Sequence, residues 1–385
     1  MPLLIRITTV PMSLRYLLQG QLPYMKKRGF RVLAMSADGP EREQIILEEG
    51  VAHHIVPFTR TITPWQDLKC LFMLIRLFRK TRPNIVHTHT PKAGLLGMCA
   101  AWITGVPVRM HTIAGLPWVE TGGLKRSLLK NMERLTFFFA TGIYPNSFVQ
   151  MAFLEKNRIG SKKKMKVIGQ GSSNGIDTER FAPGKELMDR AHDIRQKLGI
   201  NMGDMVYIFV GRIVKDKGIN ELVSAFGELR KEHENIYLIL VGPFEDHLDP
   251  VHDKVRKEID EGPNIHAVGF QEDVRPWLLA SDLLVFPSYR EGFPNVPMQA
   301  GALGLPCIVS DINGCNEIII HNENGLIIPP KDGPALKNAM QLLTVNEDYR
   351  YKLATKARES IVSRFNRKLV WEGLAAEYEK QLHRD

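Results

Sequence analysis

Short apolar runs rich in β-branched residues alternate along the chain with stretches of helical periodicity. "LLIRITTV", "FRVLAMSA", "AHHIVPF", "NIVHTHT", "VPVRMHTI" and "TGIYPNS" follow one another through the first 150 residues. The rhythm returns in "DMVYIFVG", "NIYLILVG", "NIHAVGF", "DLLVFPS", "LPCIVSD" and "NGLIIPP". Strands spaced to leave room for a helix argue for parallel sheets covered by helices on both faces. Two such series predict an α/β chain of two doubly wound domains. Gly, Asn, Asp and Pro interrupt the periodicity in "SSNGIDTERFAPGKE" and mark the seam. Residues 1–175 are then the first domain, 176–365 the second, and 366–385 a terminal helix. In sheets of this kind ligands bind beyond the carboxyl ends of the strands, so the expected site is the cleft between the domains.

Length and composition agree with this division. At 385 residues the chain is too long for one ordinary core, and 44% hydrophobic with 24% charged residues is a globular composition. No run approaches the 18 or so apolar residues of a membrane span. The opening "MPLLIRITTVPMSL" is broken by Arg6 and has no small-residue cleavage site, so it reads as a strand and not as a signal peptide. Cys70, Cys99, Cys307 and Cys315 form no CxxC pair and read as reduced thiols of a cytosolic protein.

Charge is divided unevenly. Residues 1–175 hold 25 Lys and Arg against 9 Asp and Glu, a net +16, whereas the remaining 26 and 33 give −7. The basic half suits an anionic membrane surface, a phosphorylated substrate or nucleic acid, or is no more than a soluble basic surface. In "LKRSLLKNMERLTFFFA", Leu124, Leu128, Met132, Leu135 and Phe139 share a helical face apart from Lys125, Arg126, Lys130 and Arg134. "LKCLFMLIRLFRKTR" is similar. Taken singly, each helix reads as packed on its own sheet; the charge of the whole half makes an anionic membrane an equal reading. No aromatic and basic platform accompanies the charge, which argues against nucleic acid.

Several polar motifs follow predicted strands. In "VYIFVGRIVKDKG" a strand ends at Gly211, with Arg212 and Lys217 behind it. A guanidinium fork and an ammonium beside a helix start suit a diphosphate; the alternative is a solvated loop. In "SYREGFPNVPMQAGALGLP", Glu291 stands where a strand ends, placed to accept from sugar hydroxyls, and Gly292 lets backbone approach a ligand. The N–H groups near Val296 and Met298 favour a phosphate, with Gln299 in the first turns; the alternative is a helix cap at Glu291. In the first half, "VHTHTPKAGLLG" and "VRMHTIAG" put His87, His89 and His111 at or near strand ends, with Lys92 close behind. The His-x-His pair has no third ligand at a suitable spacing, so no metal is expected. His89 and Lys92, with Gln19 in the loop "TTVPMSLRYLLQGQ", are the acceptor-side candidates.

Together these motifs resemble the family 4 glycosyltransferases, retaining enzymes of GT-B architecture with two Rossmann-like domains facing across a cleft. The resemblance spans nearly the whole chain. It implies that Arg212 and Lys217 hold the donor's diphosphate, with Gly211 at the strand end. Glu291 would contact donor-sugar hydroxyls, and Gly292, Phe293, Pro294 and Asn295 would lie near sugar and phosphate. His111 would stand close to the transferred sugar, and "FNRKLVWEGLAAEYEKQL" resembles the terminal helix that crosses back to the first domain. Gln299 departs from the family, which usually has a second Glu there for the ribose. Gln still accepts through its amide oxygen and loses charge assistance, worth about 1 kcal/mol.

"SYREGFPNVPMQAGALGLPCIVSDINGCNE" further resembles the subgroup acting on lipid-linked intermediates of bacterial surface polysaccharides, where Gln at this place is familiar. The resemblance implies a UDP-sugar donor, with Gly269 and Phe270 as the candidate base pocket, and a polyprenyl-diphosphate saccharide as acceptor. It implies no cofactor or metal, and a cytoplasmic protein held peripherally at the inner membrane face by its basic domain. Transfer would be a front-face displacement. Two rivals remain: a nucleotide-sugar 2-epimerase of the same architecture, and a non-catalytic sugar-nucleotide-binding assembly protein.

Overall fold

A computed structural model describes residues 1–119, 121–247 and 249–383. The chain divides into two compact units, residues 1–175 joined by the chain from Arg367 onward, and Ile176–Asn366. In the first unit the strands are β1 (Leu3–Ile7), β2 (Arg31–Ser36), β3 (Ala52–Ile55), β4 (Ile85–Thr88), β5 (Val108–Ile113) and β6 (Gly142–Pro145). They form one parallel sheet in the order β3-β2-β1-β4-β5-β6. In the second, β7 (Met205–Val210), β8 (Ile236–Val241), β9 (Ile265–Gly269), β10 (Leu283–Phe286), β11 (Cys307–Ser310) and β12 (Gly325–Ile328) pair in the order β12-β11-β10-β7-β8-β9. Counted from its own first strand, each sheet has the same doubly wound order. Each therefore reverses direction at one point, between β1 and β4 and between β7 and β10, and there the loops splay apart to admit a ligand.

The apolar runs give these strands because both sheet faces are covered. All five residues of β1, four of β4 and six of β7 are buried. Along β1, Leu3, Ile5 and Ile7 join one core, and Leu4 joins the opposite one with Tyr378 from the terminal helix Arg367–Leu382. Arg6 points to that second side in the middle of a central strand and is wholly buried.

Three helices of the first unit, Pro64–Thr81, Pro91–Ile103 and Gly123–Phe139, lie side by side, the middle one touching both others. The sheet does not cover the leucine face of Gly123–Phe139. Leu124 is 92% exposed and Phe138 66%, with Leu128 and Leu135 about half exposed, while Glu133, Thr136 and Phe137 are buried. Helix Pro64–Thr81 buries Cys70, Leu74 and Phe78 but leaves Trp65 86% and Phe72 63% exposed, beside Lys69 and Arg76. Both helices thus carry an outward apolar stripe mixed with cations.

Candidate active site

Because β7 and β10 are neighbours at the reversal of strand order, the loops leaving their carboxyl ends, 211–218 and 287–294, are brought together. Lys217 and Glu291, 74 residues apart, meet there with Nζ 2.6 Å from Oε1, keeping 14% and 17% of their side-chain exposure. The same loops are tied beside this pair: Tyr289 N–H donates to the Asp216 carbonyl at 2.9 Å, and Arg290 pairs with the Asp216 carboxylate at 2.8 Å. Tyr289 Oη donates to Glu221 Oε1 at 2.7 Å; burial and that carboxylate hold the phenol well above its ordinary pKa. Gly218 makes the close approach possible. It has φ +72°, and a Cβ there would stand 2.2 Å from the Pro287 carbonyl oxygen.

Arg212 is steadied from the neighbouring strand, its Nη1 donating to Glu245 Oε2 at 2.7 Å in the loop after β8, and it stays 44% exposed. Gly211 ends β7, and its carbonyl lies so close to Gly242 that a Cβ on Gly242 would meet it at 1.8 Å. Gly242 N–H in turn donates to the Gly269 carbonyl at 2.9 Å, which sets the end of β9 beside this loop. Phe270, next along, holds its ring 72% exposed, a free face for stacking.

Behind Glu291 the backbone runs through Gly292, Phe293 and Pro294 into the helix Asn295–Ala302. Asn313 Nδ2 donates to the carbonyls of both Glu291 and Gly292, and Gly314, at φ +77°, packs under Phe293 and Pro294. The helix has no acidic residue in its first turn and, among the described residues, no side chain caps it. With Pro at 294 and 297, the backbone donors left at its start are those of Asn295 and Val296, where an anion is favoured. Gln299 is half-buried one turn on, four residues after Asn295 and so on the same face. Cys315 is fully buried close by; burial first, then the Glu291 charge, pushes its thiol up.

In the first unit the polar candidates form a buried layer on β1, β4 and β5. Arg6 Nη1 donates to Tyr378 Oη at 2.7 Å, Tyr378 Oη lies 2.6 Å from His87 Nδ1, and His87 Nε2 lies 2.7 Å from Thr112 Oγ1. These bonds are mutually consistent if Tyr378 gives its proton to Nδ1 and Nε2–H gives to Thr112, while Arg6 Nε has no partner among the described residues. Burial, reinforced by Arg6, keeps both His87 and His89 well below the usual histidine pKa, hence neutral. The rings of the His-x-His pair stack 4.5 Å apart, and His89 Nε2 takes a hydrogen bond from Arg6 Nη2.

The structure thus gives two acceptor-side candidates other work. His89, 3% exposed, borders a small cavity with His87, Asn146 and Ser172, and its Nε2 is bonded to the buried Arg6. Lys92 is turned back onto Asp67 Oδ1 at 2.6 Å and onto Thr59 and Thr61, clamping the start of its helix to the start of Pro64–Thr81. A cation after a strand reads the same in sequence whether it meets a ligand or such a carboxylate. Gln19 is exposed, and its carbonyl accepts from Asn174 Nδ2 at 2.9 Å.

His111 is 2% exposed, its Nδ1 2.8 Å from Thr88 Oγ1 and its Nε2 3.9 Å from Glu133 Oε1. Burial pushes His111 down to about 3 and Glu133 up to about 8. Sequence reasoning passed over Glu133, Glu245, Asn313 and Gly242. The signal for Glu133 was present, as a lone carboxylate among leucines and cations.

Comparison with known proteins gives this geometry its setting. Residues 191–360 match the family described as glycosyl transferases group 1, and residues 18–171 the glycosyl transferase 4-like domain. A capsular polysaccharide biosynthesis glycosyltransferase, CapM of Staphylococcus aureus, is 31% identical over 363 residues, 94% of this chain and 93% of that protein. An Escherichia coli UDP-Gal:alpha-D-GlcNAc-diphosphoundecaprenol alpha-1,3-galactosyltransferase is 31% identical over 330 residues, 83% of this chain and 81% of that one. Among solved structures, Anabaena HepE in complex with UDP superposes with a TM-score of 0.80 over 99% of this chain and 100% of its own, at 19% identity. That likeness is one of fold, the GT-B architecture.

Proposed function

The chain belongs to the glycosyltransferases of the group 1 and 4-like type, and we propose that it moves a hexose or N-acetylhexosamine from a UDP-sugar to a polyprenyl-diphosphate saccharide with retention at the anomeric carbon. The observation that carries this reading is the Lys217–Glu291 pair at the switch point of the second sheet. A diphosphate arriving at the helix start competes for Lys217 and frees the Glu291 carboxylate for the hydroxyls of the sugar. Arg212 supplies the second cation, Asn295 and Val296 the backbone donors, and Phe270 a face for the base. As the bond from anomeric carbon to diphosphate breaks, the new bond forms on the same face, and the acceptor's proton passes to the departing phosphate oxygen. The positive groups around that oxygen stabilise the charge it gathers.

The test is UDP release from a panel of UDP-hexoses, with and without a polyprenyl-diphosphate sugar, for the native protein, Glu291→Ala and Arg212→Ala. Acceptor-dependent release abolished by both substitutions supports transfer. Donor binding without turnover on any acceptor would favour a sugar-nucleotide-binding partner protein instead.

The acceptor's lipid places the reaction at a membrane, and we infer that the protein docks peripherally on the inner face of the cytoplasmic membrane. No helix among the described residues is long and apolar enough to cross a bilayer. The outward stripes of Pro64–Thr81 and Gly123–Phe139 combine Trp65, Phe72, Leu124 and Phe138 with Lys69, Arg76, Lys125 and Arg126, in a half of net charge +16. Sedimentation with vesicles containing anionic lipid is expected to exceed that with neutral vesicles. Trp65→Ser with Phe72→Ser should weaken it by about a hundredfold, each aromatic contributing roughly 1.5 kcal/mol. Equal binding to neutral vesicles, or no loss in the double variant, would remove this surface from the account.

A further inference from the structure

At the amino ends of β4, β5 and β6, the first unit holds a cavity of about 530 Å³. A doubly wound sheet takes its usual ligands at the opposite end. Arg109, Lys164, Thr141 and Asn84 supply polar wall, and Pro107 and Leu382 apolar wall. Among the described residues no Asp or Glu lines it. Gln381 reaches from the wall to the Glu377 carboxylate, which Lys166 and Tyr144 also hold.

Both cations are fixed by carbonyls at the end of the helix Gly123–Phe139. Lys164 Nζ donates to those of Phe137, Phe138 and Ala140, the last at 2.8 Å, and Arg109 Nε donates to that of Phe139 at 2.6 Å. Arg109 Nη1 donates to the Val106 carbonyl at 2.7 Å. A helix end carries about half a negative charge, so one cation satisfies it. Two leave an excess of roughly one and a half positive charges. Burial, and then the Arg109 charge, lowers the Lys164 pKa, so the two groups are close enough to oppose each other. An anion between them relieves that repulsion.

Donors remain for it. Arg109 Nη2 has no partner among the described residues. Asn84 Oδ1 accepts from Leu3 N–H at 2.8 Å, which turns Nδ2 the other way, also without a partner among those residues.

We propose that this cavity binds a phosphate ester, its oxygens on Arg109 Nη2, Lys164 and the Asn84 amide and its carbon part against Pro107 and Leu382. A phosphomonoester carries about −1.5 to −2 at neutral pH, which matches the excess, and its ionised oxygens accept, as the free donors require. A neutral sugar leaves the excess in place, and a cation adds to it. A lipid headgroup and a soluble ester present the same oxygens. The site is independent of the donor reading, since all its residues belong to the first unit.

The probe is glycerol phosphate, titrated at constant ionic strength while Arg109 Nε–H and the Asn84 side-chain amide are followed by ¹H–¹⁵N NMR. Both signals should shift and saturate in the millimolar range. Asn84→Asp keeps the acceptor for Leu3 and sets a carboxylate in the wall, so the dissociation constant, followed on Arg109, should rise by about tenfold or more. Lys164→Gln should do the same. Asn84 is exposed, so its variant stays folded even where loss of the Lys164 cap does not. Arg212→Ala and the Trp65→Ser, Phe72→Ser double variant should titrate as the native protein does, which separates this cavity from the proposed donor site and the proposed membrane stripe. No saturating shift, an equal shift with sodium chloride, or an unchanged constant in Asn84→Asp would overturn the proposal.

A second arm names the source. Vesicles containing phosphatidic acid that sediment the native protein about fivefold more than Asn84→Asp identify a lipid headgroup. Equal sedimentation of the two, with the titration as described, identifies a soluble ester. Equal sedimentation with no titration refutes both.

Discussion

Lys217→Ala is expected to lower kcat/KM for transfer by about a thousandfold, near 4 kcal/mol of transition-state stabilisation. In the proposed transfer the bond that breaks leaves its electrons on a diphosphate oxygen, so the Lys217 ammonium would gain most at the moment that charge appears. Without donor the same ammonium is held 2.6 Å from Glu291 with little solvent around either group. The substitution therefore also strands a carboxylate, at a stability cost of about 1–2 kcal/mol, held down by the solvent that both side chains retain. Glu291→Ala should cost about a hundredfold, through the lost contacts to sugar hydroxyls. Because each residue is the other's resting partner, the double variant should fall short of the product of the two single effects by about tenfold. Steady-state UDP release for the three variants checks this. A Lys217→Ala protein with native kcat and only a raised donor KM would show binding equal in ground and transition states, contrary to the role assigned to it.

The central strands could be read from the chain because parallel strands buried on both faces leave continuous apolar runs such as "VYIFVG" and "NIVHTH", whereas the edge strands β3 and β9 are partly exposed. The faces of the helices were less legible. Leu124, Leu128, Leu135 and Phe138 form a stripe that periodicity detects, but periodicity says nothing of what covers it, and here the sheet takes Glu133, Thr136 and Phe137. At the site, the motif loops of Lys217 and Glu291 were legible as strand ends, and a shared switch point brings them together. Their partners were not: Glu245 on Arg212, Asn313 behind Glu291 and Asp67 on Lys92 come from segments whose adjacency is set by strand order and not by spacing. His89 and Lys92 illustrate the limit from the other side, since a polar residue at a strand end holds the fold as readily as it meets a ligand.

Gly218→Ala is expected to destabilise the second unit by about 2–5 kcal/mol and to abolish measurable UDP binding. Two effects add. A non-glycine residue at φ +72° costs about 1–2 kcal/mol, and a methyl 2.2 Å from the Pro287 carbonyl oxygen must push two backbones apart, at about 1–3 kcal/mol more. Those backbones are the loop carrying Lys217 and the start of the segment carrying Glu291, so relief of the clash opens the pair proposed to receive the diphosphate. Gly304 isolates the conformational part: it shares the left-handed conformation at φ +84°, and a Cβ there would meet nothing within 4 Å. Gly304→Ala should therefore lose about 1–2 kcal/mol. Urea unfolding of both variants and UDP titration by calorimetry make the comparison. If Gly218→Ala unfolds no more readily than Gly304→Ala and still binds UDP, the close approach of the two loops is not what builds the donor site. If it unfolds early and ligand no longer raises its midpoint, the contact between Gly218 and Pro287 is what sets the distance from Lys217 to Glu291.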